Sequence, residues 1–466
     1  MSHLKRLLGY KSIGSFHTED VDVLMSQSSN VYEIPKLPFD QKLEPDKSDF
    51  LLDRKKWTFL NHGAFGASLR VGYDRAEQWR FHLERQPLRY FDRDLLPHLV
   101  YSARRLANFC HASRDHFTLI PNVTYGLNTI LRGYSDIHKE KSHVILWDTS
   151  YGSLKKMAHE YCPERVTEIP VSNYFDRCWD DSLNDPSDVF EEALCDSVEK
   201  IKTENNNKQT ENALLILDHT TSNTALNMPL EKLSRAAKEM NMLVMVDGAH
   251  GILAQDLHLN ETELPDVDFY LGNGHKWLSC PRGIGFLYCP DASLRHSILR
   301  LPAVISHGIG QGFQSRFLWD GCRDYTAALS VPAVLDFWEQ KQNKAKDSLN
   351  GVPFQTEINN RLQQAVKLLS RTWHPDEDWE RSLLVPFALH SPMMALVRLP
   401  DRMQSSSSTS GDAKAVQDFL YKKLIEVPIK CVEGVLYVRI SCHIYNEIDE
   451  YQRLAETLLR FPTSQL

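Results

Sequence analysis

The chain has 466 residues, with 53 Lys and Arg against 61 Asp and Glu, a formal net charge of −8, 42% hydrophobic and 24% charged residues. That balance is ordinary for a soluble globular chain. It excludes a disordered polymer and a disulfide miniprotein, and the lack of any domain-wide basic excess argues against a nucleic-acid partner. No run approaches the ~18 consecutive apolar residues of a membrane span, and Lys5 and Arg6 lack the apolar stretch of a secretory signal behind them. The nine cysteines contain no C-x-x-C pair, so neither a zinc ribbon nor a disulfide framework is signalled. Reduced thiols in the cytoplasm are the expectation; the absence of acids before Glu19 keeps a mitochondrial transit peptide as the lesser alternative.

Residues 1–55 are polar and weakly patterned, with Pro35, Pro38 and Pro45 interrupting any long helix, and are expected to form an arm. From 56 to 325 the pattern becomes strand, loop, helix, repeated. Apolar runs suited to buried parallel strands occur at Val144-Ile145-Leu146-Trp147, Ala213 to Leu217, Leu243 to Val246 and Gly285 to Tyr288. The stretch Pro229–Met240 has helical spacing between two of them. This alternation predicts an α/β domain with a mostly parallel sheet. The polar tract 203–209 is expected to be a surface insertion and the serine-rich run 404–411 a mobile loop. A helical pattern from Tyr325 to about Lys346 leads into a smaller C-terminal unit. The expected division is an arm (1–55), a large domain (56–325), a linking helix (326–350) and a small domain (351–466).

Chemistry is expected at the carboxyl ends of the strands, where open parallel sheets bind ligands. Four strand ends run into polar residues: Asp148-Thr149-Ser150-Tyr151, Asp218 to Asn223, Asp247-Gly248-Ala249-His250, and Asn273-Gly274-His275-Lys276-Trp277. A lysine in a partly apolar turn loses its proton more easily and becomes a Schiff-base nucleophile or general base. An aspartate on a neighbouring strand suits the protonated ring nitrogen of pyridoxal phosphate (PLP). Pro121 to Asn128, opening a helix-like run, offers backbone donors for a phosphate. His219 is equally a hydrogen-bonded core histidine, and the glycines at 308, 310 and 312 fit a loop rather than a dinucleotide fingerprint.

Taken in this order, the segments resemble the class V aminotransferase superfamily, particularly its isopenicillin N epimerase-like branch with the L-cysteine desulfhydrases and ergothioneine-pathway C–S lyases. The likeness runs from Phe59-Leu60-Asn61-His62-Gly63-Ala64-Phe65-Gly66, through Asp247 to His250, His275-Lys276-Trp277 and Trp319 to Tyr325, to Tyr437 to Asn446. It implies the fold-type I PLP-dependent transferase fold, a mostly parallel seven-stranded sheet with a smaller α+β C-terminal domain, and a homodimer.

By that resemblance Lys276 is the Schiff-base lysine, Asp247 pairs with the pyridine nitrogen and His250 lies near the phenolic oxygen. Val123, Thr124 and Tyr125 hold the phosphate, helped by His275. Tyr151 stacks on the ring, and Ser222, or the adjacent Asn223, approaches the phenolic oxygen. Gly321 and Cys322 replace the Gly-Thr that reaches a neighbouring subunit's phosphate, and Asn273 stands where a phosphate-binding serine is common. Arg439 clamps the substrate α-carboxylate, with Asn61 and His62 beside the substrate; a planar guanidinium suits that two-bond contact. No metal is implied.

The resemblance implies a small amino-acid substrate, with no nucleic-acid or membrane partner. The leading expectation is a C–S β-lyase acting on L-cysteine or a cysteine S-conjugate, giving pyruvate, ammonia and a sulfur product. Amino-acid epimerisation, a persulfide-forming desulfurase and an inactive PLP-fold scaffold are the alternatives. Cys431 precedes Arg439 but lacks a desulfurase's usual surroundings.

Overall fold

Seven strands form the central sheet: β1 (Phe117–Ile120), β2 (Val144–Trp147), β3 (Val166–Ile169), β4 (Leu214–Asp218), β5 (Leu243–Gly248), β6 (Phe269–Asn273) and β7 (Gly285–Tyr288). The computed structural model describes residues 21–37, 49–204, 212–260, 262–346, 353–404 and 408–462. Most of the arm's first part, the tract 205–209 and Ser405 to Ser407 therefore lie outside the described residues. The strand order is β1-β7-β6-β5-β4-β2-β3, and only β7 runs against its neighbours. This is the mostly parallel seven-stranded sheet the alternation predicts.

Period-two alternation divides the sheet into two cores. Ile145, Trp147, Leu215, Leu217, Val244 and Val246 pack on one face, and Val144, Leu146, Leu214, Ile216, Met245 and Leu271 on the other. Burial on both faces is why these strands read as continuous apolar runs. β3 escapes that reading because it is an edge strand, with Thr167 and Glu168 breaking the run. The helix expected after Pro121 spans Val123–His138, with the Asn122 side chain accepting from the Tyr125 N–H at 2.9 Å. The helix expected at 229–240 spans Leu230–Glu239. Residues 307–312 are turn and bend, as the loop reading of their glycines requires.

A second, antiparallel sheet contains β8 (Met394–Arg398), β9 (Ile429–Val432) and β10 (Val435–Ser441) in the order β9-β10-β8. Thr58–Phe59 pairs in parallel with Ile425–Glu426 in a separate two-stranded sheet, which ties the entry to the central unit to the C-terminal segment. The helices Val331–Lys346 and Phe354–Trp373 precede it.

Part of the arm is built into the core. Residues Val21–Ser26 form a helix that buries Val21, Leu24 and Met25, about 1.5–3 kcal/mol each by apolar area. The buried Arg104 guanidinium donates to the carbonyls of Leu24 (2.6 Å), Met25 (3.0 Å) and Gln27 (2.9 Å). Asp22 accepts from the Gln314 N–H at 2.9 Å. No described helix is long and apolar enough to cross a membrane.

Candidate active site

The parallel register places polar residues side by side where the strands end. Asp218 on β4 pairs with Asp247 on β5, and Gly248 with Gly272 on β6. Beyond β6, the chain turns through Gly274 and His275 to Lys276. A cavity of about 420 Å³ opens there. Val123, Thr124, Tyr151, Ser222, Asp247, His250, His275, Lys276 and Arg439 all line it, so residues spread over more than 300 positions share one space.

Lys276 gives up its proton more readily than an ordinary lysine. Burial strips water from its ammonium form and lowers its pKa from 10.5 to about 8, with the Asp247 carboxylate opposing that shift. Its Nζ lies 2.9 Å from His250 Nε2. The Trp277 indole N–H donates to His250 Nδ1 at 3.2 Å. An indole nitrogen only donates, so Nδ1 is the acceptor and the neutral imidazole carries its proton on Nε2. That proton faces Lys276 Nζ, whose amine form accepts it. Burial, then the nearby Lys276 charge, keeps His250 well below the usual histidine pKa, consistent with a neutral ring.

The carboxylates behave as a pair. Burial and the adjacent Asp247 push Asp218 up to about 8, while the Ser150 hydroxyl donates to its Oδ2 at 2.6 Å. Burial raises Asp247 too, against the Ala249 N–H bonded at 3.0 Å and the Lys276 charge. Burial drives both carboxyls toward their protonated forms, and the neighbouring Asp247 charge adds to that drive on Asp218.

At the opposite wall stands the start of the Val123–His138 helix. Asn273 Oδ1 accepts from the Val123 N–H at 3.0 Å, which turns its amide NH₂ toward the cavity. Burial lowers His275 to about 4, and its buried Nδ1 has no hydrogen-bond partner. Arg439 is 3% exposed; its guanidinium donates to the Ser222 carbonyl and to Asn61 Oδ1 at 3.3 Å.

Several expected contacts are placed differently. The Tyr125 N–H, expected at the phosphate, is bonded to Asn122, whereas Thr124 and Asn273 line the cavity. His62 does not line the cavity. It is buried beneath it, Nδ1 2.9 Å from the Tyr445 hydroxyl and Nε2 3.0 Å from the Lys276 carbonyl, and stacks on His443 at 4.1 Å. Its ring bonds the lysine's main chain. Asn61 likewise does not line the cavity, and its Oδ1 accepts from Arg439, which does. Gly321 and Cys322, expected at a neighbouring subunit's phosphate, lie outside this chain's own cavity, with Cys322 exposed. His219 is bonded to the Tyr270 hydroxyl at 2.7 Å, the core role.

Two ionisable lining residues escape the sequence reading as site residues. Asp218 was visible only as an odd strand end, and its meaning comes from pairing with Asp247. Lys430 carries no local signal at all. Elsewhere, His374, Glu377 and Asp401 bring potential metal-ligand atoms within 4.8 Å, but the Arg398 guanidinium already bonds Glu377 at 2.7 Å and Asp401 at 3.2 Å.

The fold and this lysine-centred site define a fold-type I PLP-dependent enzyme. The profile of the class V aminotransferases matches residues 196–302. It is 25% identical to an L-cysteine desulfhydrase of Arabidopsis thaliana over 433 residues, 87% of this chain and 88% of the relative. It is 26% identical to an isopenicillin N epimerase of Amycolatopsis lactamdurans over 419 residues, 86% and 94% of the two chains. Among solved structures it is similar to a cystine C–S lyase in complex with cysteine persulfide, with a TM-score of 0.64 at 19% identity, covering 87% of this chain and 98% of the other. A cysteine desulfurase of Thermococcus onnurineus gives 0.63 at 15% identity, covering 87% and 94%.

That likeness implies PLP, and the residues present fit it. A lysine of lowered pKa, a buried carboxylate and an orphaned imidazole nitrogen beside helix-start donors would suit an aldehyde, a pyridine nitrogen and a phosphate in turn.

Proposed function

We propose that the chain is a PLP-dependent C–S β-lyase acting on L-cysteine or a cysteine S-conjugate and releasing pyruvate, ammonia and a sulfur product. When bound, PLP supplies an electron sink that acidifies the Cα–H of an amino acid. In this reading Lys276 attaches the cofactor and its Nζ takes the Cα proton. Asp247 holds the ring nitrogen's proton, and protonated Asp218 lets its neighbour stay ionised without a second buried charge. Thr124, Asn273 and His275 receive the phosphate. Arg439 grips the α-carboxylate and orients the Cα–H toward Lys276.

One observation carries elimination over persulfide transfer: all nine cysteines lie among the described residues and none lines the cavity. Cys431 is turned away by strand alternation, its Sγ donating to the Ser408 carbonyl at 3.1 Å, and burial raises its thiol pKa. The desulfhydrase relatives and the C–S lyase likeness support the same chemistry. We also read the exposed Gly321–Cys322 turn as reaching a second subunit of a homodimer, which sedimentation of the purified chain tests.

The test is PLP-loaded protein with L-cysteine and a panel of S-conjugates, with pyruvate and sulfur products read by mass spectrometry and Lys276→Ala as control. Pyruvate release that vanishes in the control is expected. Solvent deuterium entering Cα of an otherwise intact substrate, or a persulfide on Cys431, would replace the reading with epimerisation or desulfuration.

A further inference from the structure

Lys430 is a cation in this cavity to which the reaction above gives no task. β9 and β10 pair antiparallel so that Lys430 is opposite Tyr437, and Arg439 follows two residues further on. Directly opposed residues and those two apart project from the same face of a sheet. Lys430 and Arg439 accordingly both line the cavity, while Cys431 between faces is directed away.

Lys430 is half-buried, and among the described residues no carboxylate bonds it. Burial and the Arg439 charge lower its pKa to about 8. The cavity's acids are engaged elsewhere: Asp218 and Asp247 act on Lys276 at the strand ends. The phosphate-side donors belong to the helix start, Asn273 and His275. Two like charges side by side with no counter-ion form a standing repulsion that a bound anion relieves. A single α-carboxylate occupies Arg439. Ala64 and Phe65 line the same cavity, and Phe65 is 69% exposed, an apolar surface suited to a short carbon chain.

We propose that Lys430 selects substrates whose departing β-substituent carries its own anion: cysteine S-conjugates ending in a carboxylate or sulfonate, with Arg439 on the α-carboxylate and Lys430 on the distal acid. The proposal deepens the elimination reading and rests on it for which part of the substrate departs.

S-carboxymethyl-L-cysteine and S-carbamoylmethyl-L-cysteine form a matched probe pair, an acid and an amide of nearly the same shape. Their kcat/KM ratio, acid over amide, is measured with the PLP-loaded full chain as wild type, Lys430→Gln and Lys430→Arg. Loss of one charge-assisted contact lowers the ratio by roughly tenfold or more in the glutamine variant, and arginine restores most of it. The ratio of dissociation constants for the same pair, measured by calorimetry with Lys276→Ala in each background, follows the same pattern without turnover. A ratio that is equal in wild type and Lys430→Gln, whether both substrates weaken together or neither does, overturns the proposal. Absence of pyruvate from every conjugate together with a collapsed binding ratio in Lys430→Gln sinks the elimination reading and leaves Lys430's role standing. Pyruvate release with an unmoved ratio does the reverse.

Discussion

Replacing Gly66 by alanine should displace the segment that carries Lys276. Gly66 ends the short helix His62–Phe65 with φ 67° and ψ 171°, its N–H bonded to the His62 carbonyl at 2.9 Å. That conformation is essentially reserved for glycine and costs another residue about 1–3 kcal/mol. A Cβ there would lie 1.8 Å from the His275 carbonyl oxygen and 3.0 Å from Lys276 Cα. Both are main chain and cannot rotate aside, so overpacking adds about 1–3 kcal/mol. The combined loss of roughly 2–6 kcal/mol is a large part of a typical stability of 5–15 kcal/mol. At about 2 °C per kcal/mol for a large domain, the melting temperature should fall roughly 4–12 °C. Moving Lys276 by about an ångström should lower kcat/KM for pyruvate release on the order of a hundredfold. Thermal melts and the pyruvate assay read the two effects. Gly152→Ala is the control, because nothing lies within 4 Å of a Cβ at that position. Gly66→Ala with wild-type melting and turnover would refute the close approach of the 61–66 loop to the lysine's backbone.

Four further outcomes follow from the site. Lys276 loses its proton near pH 8, so borohydride trapping of PLP on the apoprotein should rise with pH and level off just above that midpoint; a midpoint near that of an ordinary lysine would contradict the held amine. Trp277→Phe removes the donor to His250 Nδ1, releases the tautomer and should raise that midpoint by about half to one unit; an unmoved midpoint would show that the indole does not set the tautomer. Asp218, ordinarily ionised above pH 3.8, is raised to about 8, so the folded state binds more protons between these values and stability drops as pH climbs through that window. Asp218→Asn should flatten this slope and gain on the wild type most at pH 8, in denaturant titrations at pH 5 and pH 8; parallel slopes would refute the assignment. Cys431→Ala should leave sulfur release within about twofold, since a half-buried thiol of raised pKa is a weak nucleophile.

The amino-acid sequence by itself determined the sheet-forming core and the chemistry of its strand ends. β2, β4, β5 and β7 are legible because strands buried on both faces must be apolar throughout, and Asp247, His250 and Lys276 stand out because polar residues directly after such strands have no packing use. The resemblance of 61–66 and 437–446 added Arg439. Tertiary structure alone decided the rest. His62 lies in a motif that suggested substrate contact, yet packing turns it under Lys276, where its ring bonds a carbonyl. Asp218 becomes a proton-holding partner only because β4 and β5 are adjacent in register, which local sequence does not encode. Lys430 shows the same limit most plainly. It lies in an unremarkable strand, and the two-residue offset of an antiparallel pairing is what carries it to the side of Arg439. Local composition specifies which residues can be buried or charged; the register between distant strands decides which of them meet.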